Sequence, residues 1–208
     1  MPVFETPALI LILVAALSYL LGAVPFGIVM SRLFGLADPR SIGSGNIGAT
    51  NVLRSGSKPA AALTVLLDGA KGGIAVLIAR ATVGEDAAQI AALSAFLGHL
   101  YPVWLGFKGG KGVATFLGTV LALSLPVGIA ACLLWLATFA IFRISSLGGI
   151  LSPVLTPIAA LALGHGDKAL VLAAMATFVW WRHRENIGRI LNGTEPKVGQ
   201  KKTPEEPQ

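Results

Sequence analysis

The sequence predicts an all-α integral membrane protein, a bundle of seven transmembrane helices with the N-terminus outside and the C-terminus in the cytoplasm. Three observations predict it. Of 208 residues 54% are hydrophobic and mean hydropathy is +0.76, which is too apolar for an ordinary soluble domain and excludes a disordered chain. Charged residues make up 12% of the chain, about half of the roughly 25% usual in soluble proteins. Finally, 13 of the 16 basic residues fall in alternate connections between apolar stretches, the asymmetry that orients membrane helices.

The elements follow in order. Pro7–Met30 carries no charge and exceeds the roughly 20 residues that a helix needs to cross a bilayer core. A secretory leader would begin with basic residues and a shorter apolar run, whereas Glu5 is the only early charge. Further apolar segments lie at Pro59–Ala79, Ala87–Leu105, Gly112–Ser124, Val127–Phe142, Leu147–Leu163 and Ala169–Trp181. Gly112–Ser124 and Ala169–Trp181 are short, and a short run equally suits a re-entrant or interfacial piece. Pro126 is the only break between the fourth and fifth segments, so one kinked helix there would reduce the count to six.

Charge placement selects seven. Arg32, Arg40, Arg54 and Lys58 lie between the first two spans, and Lys108 and Lys111 precede the fourth. Arg143 follows the fifth, and Arg182, Arg184, Arg189, Lys197, Lys201 and Lys202 follow the seventh. The opposite connections carry Glu85, Asp86, Asp167 and Lys168, with Arg80 at a boundary. Six spans would break this alternation. The asymmetry also accounts for the net charge of +6 without nucleic acid. Cys132, the single cysteine, offers neither a disulfide framework nor a cysteine metal site. No zinc or haem motif is visible, and no cofactor is expected. Residues 1–200 read as one membrane domain and 201–208 as a polar, disordered tail.

Polar residues cluster on the predicted cytoplasmic side. The first loop, Arg40–Arg54, interleaves Gly43, Gly45 and Gly48 with Ser44, Asn46, Thr50 and Asn51. Glycines permit close backbone approach to a ligand, and Arg54 supplies a guanidinium suited to gripping phosphate with two hydrogen bonds. In the second cluster Gly109, Gly110 and Gly112 surround Lys108 and Lys111 where a helix begins, a natural anion site. Three residues separate Gly106 from Gly110, and Gly112 follows Lys111, so the spacing is not that of a nucleotide-binding P-loop. Third come Ser146 and the run Arg182–Arg189, in which His183, Asn186 and Arg189 share a helix face. Asp68 and Lys71 are expected to pair inside the second span. His99 suits either a site residue or a buried histidine, and His165 lies on the outer side. No histidine is followed five residues later by aspartate, so the His-x4-Asp catalytic pair is absent.

Ser-Gly-Asn-Ile-Gly-Ala-Thr-Asn (44–51), Gly-Phe-Lys-Gly-Gly-Lys-Gly-Val-Ala-Thr (106–115) and Arg-His-Arg-Glu-Asn-Ile-Gly-Arg (182–189) resemble the three signatures of the PlsY family. These are the bacterial acyl-phosphate:glycerol-3-phosphate acyltransferases. The likeness covers nearly the whole chain in the same order, while the polar tail after Glu195-Pro-Lys197 is not a family mark. The resemblance implies a multi-pass enzyme of the bacterial inner membrane, its active site facing the cytoplasm, that acylates the 1-position of sn-glycerol 3-phosphate. The donor would be a fatty acyl phosphate, and the products lysophosphatidate and phosphate, in the first acylation of phospholipid synthesis. The partners implied are these substrates and membrane lipid, with no nucleic acid and no obligate protein partner. Carried onto this chain, the catalytic residues would be Ser44, Asn46, Arg54, His183 and Asn186. Those binding substrate phosphate would be Gly109, Gly110, Lys111, Gly112 and Ser146.

The chemistry fits that assignment. An acyl phosphate is a mixed anhydride, already activated, which leaves positioning, oxyanion stabilisation and removal of one hydroxyl proton. His183 is the one protein base within a motif, and a substrate phosphate oxygen is the alternative base. Because the donor lowers the need for a strong base, His183 is expected as a phosphate or structural ligand. A covalent acyl-Ser44 is disfavoured, since no histidine is near it in sequence. Ser44, Lys111, Ser146 and His183 are expected to meet in one pocket. A transporter would need polar groups through the bilayer depth, and only Asp68 and Lys71 lie deep.

Overall fold

Lipid offers no partners for backbone N–H and C=O groups, so an apolar chain of this kind satisfies them within helices. A computed structural model describes residues 5–198; the tail expected at 201–208 lies outside the described residues. The helices are α1 (Ala8–Gly22), α2 (Phe26–Leu33), α3 (Ala49–Arg54), α4 (Lys58–Thr82) and α5 (Glu85–Leu100), followed by α6 (Val113–Leu123), α7 (Leu125–Phe142), α8 (Ser145–Ala162), α9 (Ala169–Arg182) and α10 (Arg184–Leu191).

The structure bears on the expected spans at three points. The first is broken: α1 ends at Gly22 and α2 starts at Phe26, because Pro25 lacks the N–H that a continuous helix needs. Next, α6 and α7 are separate helices rather than one kinked at Pro126. Ser124 between them is extended, and Gly128 packs against the Leu121 backbone, so the chain reverses there. Pro126 sits in the first turn of α7, where its missing N–H is an orphan in any case.

The third point concerns length. Among the described residues five stretches are long and apolar enough to cross a membrane: Ala8–Leu33, Lys58–Thr82, Glu85–Leu105, Leu125–Phe142 and Ser145–Ala162. In place of full spans at Gly112–Ser124 and Ala169–Trp181 stand α6 with 11 residues and α9 with 14. At about 1.5 Å per residue both fall short of a hydrocarbon core about 30 Å thick. The reason for α6 is visible beside it. It runs alongside α4 in the same direction, with Gly69 against Ala114 and Gly118, and Gly73 against Gly118 and Ala122. Arg80 at the end of α4 donates to the carbonyls of Ala122 (2.5 Å) and Leu123 (2.9 Å) at the end of α6. The start of α6 is therefore level with the middle of α4, and the loop from Tyr101 to Gly112 fills the remaining depth.

Small residues build the interfaces, because apolar helices in lipid associate through close contact rather than through exclusion of water. Ala75, Ala79, Ala87, Ala91 and Ala95 join α4 to α5, while Gly22 and Gly98 let α1 cross α5 almost backbone to backbone. Large aliphatic side chains such as Leu9, Ile12, Leu17, Leu133 and Ile141 project outward. At one end of the bundle Glu85 binds Arg80 (2.7 Å) and Lys168 (3.2 Å), and Asp86 accepts from the Glu5 and Thr6 amides. The acidic connections thus gather at one end, as the charge pattern predicts. The glycine-rich and basic segments lie at the other.

This packing sets a stability test. Gly118→Ala places a methyl against the Gly69 backbone and should destabilise by about 1–3 kcal/mol, read as a lower melting temperature in detergent. Gly188→Ala in α10, with open space around it, should be neutral or slightly stabilising. Equal effects would show that the α4–α6 contact is not close.

Candidate active site

The loop after α5 owes its shape to the end of that helix. Gly109 N–H donates to the Leu100 carbonyl and Gly110 N–H to that of His99, each at 3.1 Å. A Cβ on Gly109 would overlap the His99 carbonyl and Pro102, one on Gly110 the His99 ring, and one on Gly112 the Phe96 and Leu100 side chains. These glycines are demanded by packing against α5, and Gly112 also has φ +86°. The expected nest of free amides is correspondingly smaller. Those of Gly109 and Gly110 are committed, while those of Lys111 and Gly112 have no hydrogen bond among the described residues. From the other side Arg182 caps the loop, donating to the carbonyls of Gly109 (2.7 Å) and Gly110 (3.1 Å). Its guanidinium also lies over the Tyr101 ring.

Lys111 reaches from this loop to the C-terminal segment, where its Nζ donates to Asn186 Oδ1. Burial, with Arg189 nearby, lowers the Lys111 pKa. Asn186 Nδ2 and Ser146 Oγ each donate to Glu195 Oε1 at 2.6 Å, and Arg189 Nε donates to Glu195 Oε2 at 2.6 Å. Burial works against ionisation of Glu195, yet the three donors prevail and hold its pKa below the ordinary value. Ser146 and Asn186, expected to face substrate, here hold a carboxylate. Sequence reasoning passed over Glu195. Its signal was Asn192-Gly193, the turn chemistry that ends α10. Gly193 adopts φ +70°, and the Thr194 and Glu195 amides fold back onto the Arg189 carbonyl.

His183 stands between α9 and α10, 2% exposed. Its Nδ1 lies 2.8 Å from the Val179 carbonyl. A carbonyl only accepts, so Nδ1 carries the proton and Nε2 presents a lone pair. Gly149 of α8 leaves room at Nε2, since a Cβ there would come within 3.3 Å. Desolvation, together with Lys111 and Arg182, lowers the His183 pKa to about 4, against the pull of the Val179 carbonyl and Glu195. The ring is therefore neutral at pH 7 and accepts rather than donates at Nε2. That chemistry suits a substrate hydroxyl, not a phosphate oxygen.

The first loop forms a second group. Asn51 is its staple, donating to the carbonyls of Pro39 (2.5 Å) and Ile42 (2.8 Å). Asn46 Oδ1 accepts from the Gly48 amide at 2.9 Å. Arg54 is exposed, its Nη1 3.4 Å from Asn51 Oδ1, and no carboxylate pairs with it among the described residues. Ser44 is exposed on the turn between Gly43 and Gly45. The structure thus brings together Lys111, Ser146, His183 and Asn186. Ser44, Asn46 and Arg54 lie on the separate loop before α4, and no hydrogen bond joins them to the first group among the described residues.

Comparison with known proteins gives a consistent result. Residues 12–193 match the family model described as glycerol-3-phosphate acyltransferase. A glycerol-3-phosphate acyltransferase of Cereibacter sphaeroides is 62% identical over 201 residues, covering 97% of this chain and 96% of its own length. One from a Jannaschia species is 62% identical over 198 residues, covering 95% and 98%. The crystal structure of PlsY (YgiH), an integral membrane glycerol 3-phosphate acyltransferase in its glycerol 3-phosphate form, superposes with a TM-score of 0.86 at 40% identity. The alignment covers 91% of this chain and 96% of that one. Its lysophosphatidic acid form gives 0.84 at 39% identity, covering 91% and 95%. With its three polar motifs gathered at one end of an apolar helical bundle, the chain belongs to the glycerol-3-phosphate acyltransferase family.

Proposed function

We propose that this protein transfers a fatty acyl group from acyl phosphate to the 1-hydroxyl of sn-glycerol 3-phosphate, releasing lysophosphatidate and inorganic phosphate. The observation that carries the reading is the neutral His183, its Nε2 lone pair open, set beside the Lys111 cation at the basic end of the bundle. Relatives solved in glycerol 3-phosphate and lysophosphatidic acid forms support the acceptor and product. The topology proposed with it has seven crossings, α6 and α9 being the short ones, with the N-terminus outside. The basic end then faces the cytoplasm of a bacterial inner membrane, and residues 1–200 form one membrane domain.

In this reading Lys111 and the free amides at the start of α6 hold the phosphate of glycerol 3-phosphate. Ser44, Asn46 and Arg54 approach from the first loop to hold the donor's phosphate and its carbonyl oxygen. Ser146 and Asn186 act through Glu195, which keeps the segment carrying Arg189 in place. The acceptor hydroxyl donates to His183 Nε2 and is thereby aimed at the donor carbonyl. Its oxygen bonds to the acyl carbon, the acyl carbon–phosphate oxygen bond breaks, and the hydroxyl proton, released from its hydrogen bond to His183 Nε2 as the new bond forms, passes to a phosphate oxygen and leaves with the phosphate. Magnitude decides the proton's destination. A phosphate monoester has a second pKa of about 6, so a substrate phosphate is a better base than an imidazole held at about 4. His183 therefore orients the nucleophile. The direct test is purified protein in detergent given acyl phosphate and glycerol 3-phosphate. Lysophosphatidate should form without any gradient, and equal turnover with acyl-CoA would overturn the donor assignment.

Arg54 provides a sharper test. If its planar fork grips phosphate, Arg54→Ala should lose about ten- to hundredfold in kcat/KM, as for a charged hydrogen bond of about 1.5–3 kcal/mol. Arg54→Lys should not recover it. Near-native activity in the lysine variant would reduce Arg54 to a point charge.

For His183, glutamine keeps an acceptor oxygen, so His183→Gln should stay within about tenfold of wild type and retain any acid-side limb in the pH profile. A loss of about 10²–10⁴-fold with that limb gone is what a general base would give. Stability carries its own signature. The His183 pKa falls on folding, so the unfolded chain binds the extra proton between about pH 6.5 and 4. Its contribution is present above pH 6.5 and lost as pH falls toward 4. The melting temperature should drop across that window, less steeply in His183→Gln.

A further inference from the structure

Asp68, Lys71 and His99 form a buried cluster that the proposed chemistry does not use. Lys71 Nζ lies 2.7 Å from Asp68 Oδ1, 2.8 Å from the Val24 carbonyl and 3.0 Å from His99 Nδ1. All three side chains are at most 5% exposed. An ammonium has three protons and no lone pair, so each proton has one acceptor. His99 Nδ1 must then accept, which leaves the ring proton on Nε2. That edge of the ring faces Gly110, where a Cβ would overlap Nε2 and Cε1. The same residue holds the loop through its backbone, since its carbonyl accepts the Gly110 N–H.

We infer that His99 is a positioning residue: its ring, locked by Lys71 and Asp68, sets the height of Gly110 above α5 and so places Lys111 against Asn186. This rests on the proposed role of the loop in holding the phosphate of glycerol 3-phosphate. Lys111 follows Gly110 directly, and Arg182 clamps the loop onto α5 from the opposite side. Between the clamp and the imidazole the loop has one seat. An aliphatic side chain at 99 could fill the volume, but it would leave one Lys71 proton without an acceptor in a buried site. Histidine serves both needs, an acceptor inward and a flat edge outward.

The test uses full-length protein in detergent, with glycerol 3-phosphate varied at saturating acyl phosphate. His99→Asn keeps an oxygen near the Nδ1 position for Lys71 but removes the outer edge of the ring. It should raise KM for glycerol 3-phosphate about tenfold while kcat stays within about threefold, a split that general destabilisation would not produce. Gly110→Ala should do likewise, because its methyl meets the ring. In the double variant the added methyl occupies the space the ring has left, so KM should be no higher than in the worse single variant. The melting temperature of the substrate-free protein should fall in Gly110→Ala and recover in the double. If Gly110→Ala raises KM but His99→Asn does not, or if the two effects multiply to about a hundredfold, the inference is overturned and the loop's phosphate role stands. If neither single variant moves KM in an active enzyme, the loop's phosphate role falls and the inference with it. Failure of the double variant to recover stability would likewise overturn the ring–loop contact.

Discussion

One buried ammonium constrains much of this molecule. Lys71 lies in the middle of α4, where insertion of a charge into lipid costs about 2.5–3.5 kcal/mol and removing one partner of a buried ion pair costs about 3–5 kcal/mol. Its three acceptors come from three different places: the Asp68 carboxylate one turn away, the imidazole of α5, and the Val24 carbonyl. That last acceptor lies within the break between α1 and α2. The proline that interrupts the first apolar stretch and the lysine that would otherwise be stranded in the second are parts of one arrangement.

The depth of the active end follows from the same region. Because α6 begins opposite Gly69, one residue after Asp68, the loop carrying Lys111 is seated part-way down the bundle rather than on top of it. Glycines at 69, 73 and 118 allow this by letting α4 and α6 approach backbone to backbone. The shortness of α6 is thus not a defect in a span. It makes room for a polar loop below the bundle rim.

Charge around the site is arranged to be half satisfied. Arg182 turns inward to loop carbonyls, and Arg189 is neutralised by Glu195, which also takes the Ser146 and Asn186 donors. Lys111 and Arg54 have no carboxylate within ion-pair distance among the described residues. Burial, with the Lys111 and Arg182 cations nearby, accounts for the imidazole's reluctance to take a proton.

Much of this was legible in the chain because it depends on local properties. Apolar runs, the side on which arginine and lysine collect, and glycine next to lysine at a helix start all follow from composition over short windows. The helical class, the gathering of Glu85, Asp86 and Lys168 at one end, and the pairing of Asp68 with Lys71 could be read that way. What only the tertiary structure decided are relations between distant segments. The break at Pro25 carries meaning because Lys71 comes to meet it. Gly110 is hemmed in by the His99 ring that stands behind it. Glu195, given no role by the sequence patterns, becomes the hub of Ser146, Asn186 and Arg189 once α10 has turned back. Sequence patterns report which face or end a residue occupies; a contact across 40 or 50 residues is set by how helices pack, which no local window contains.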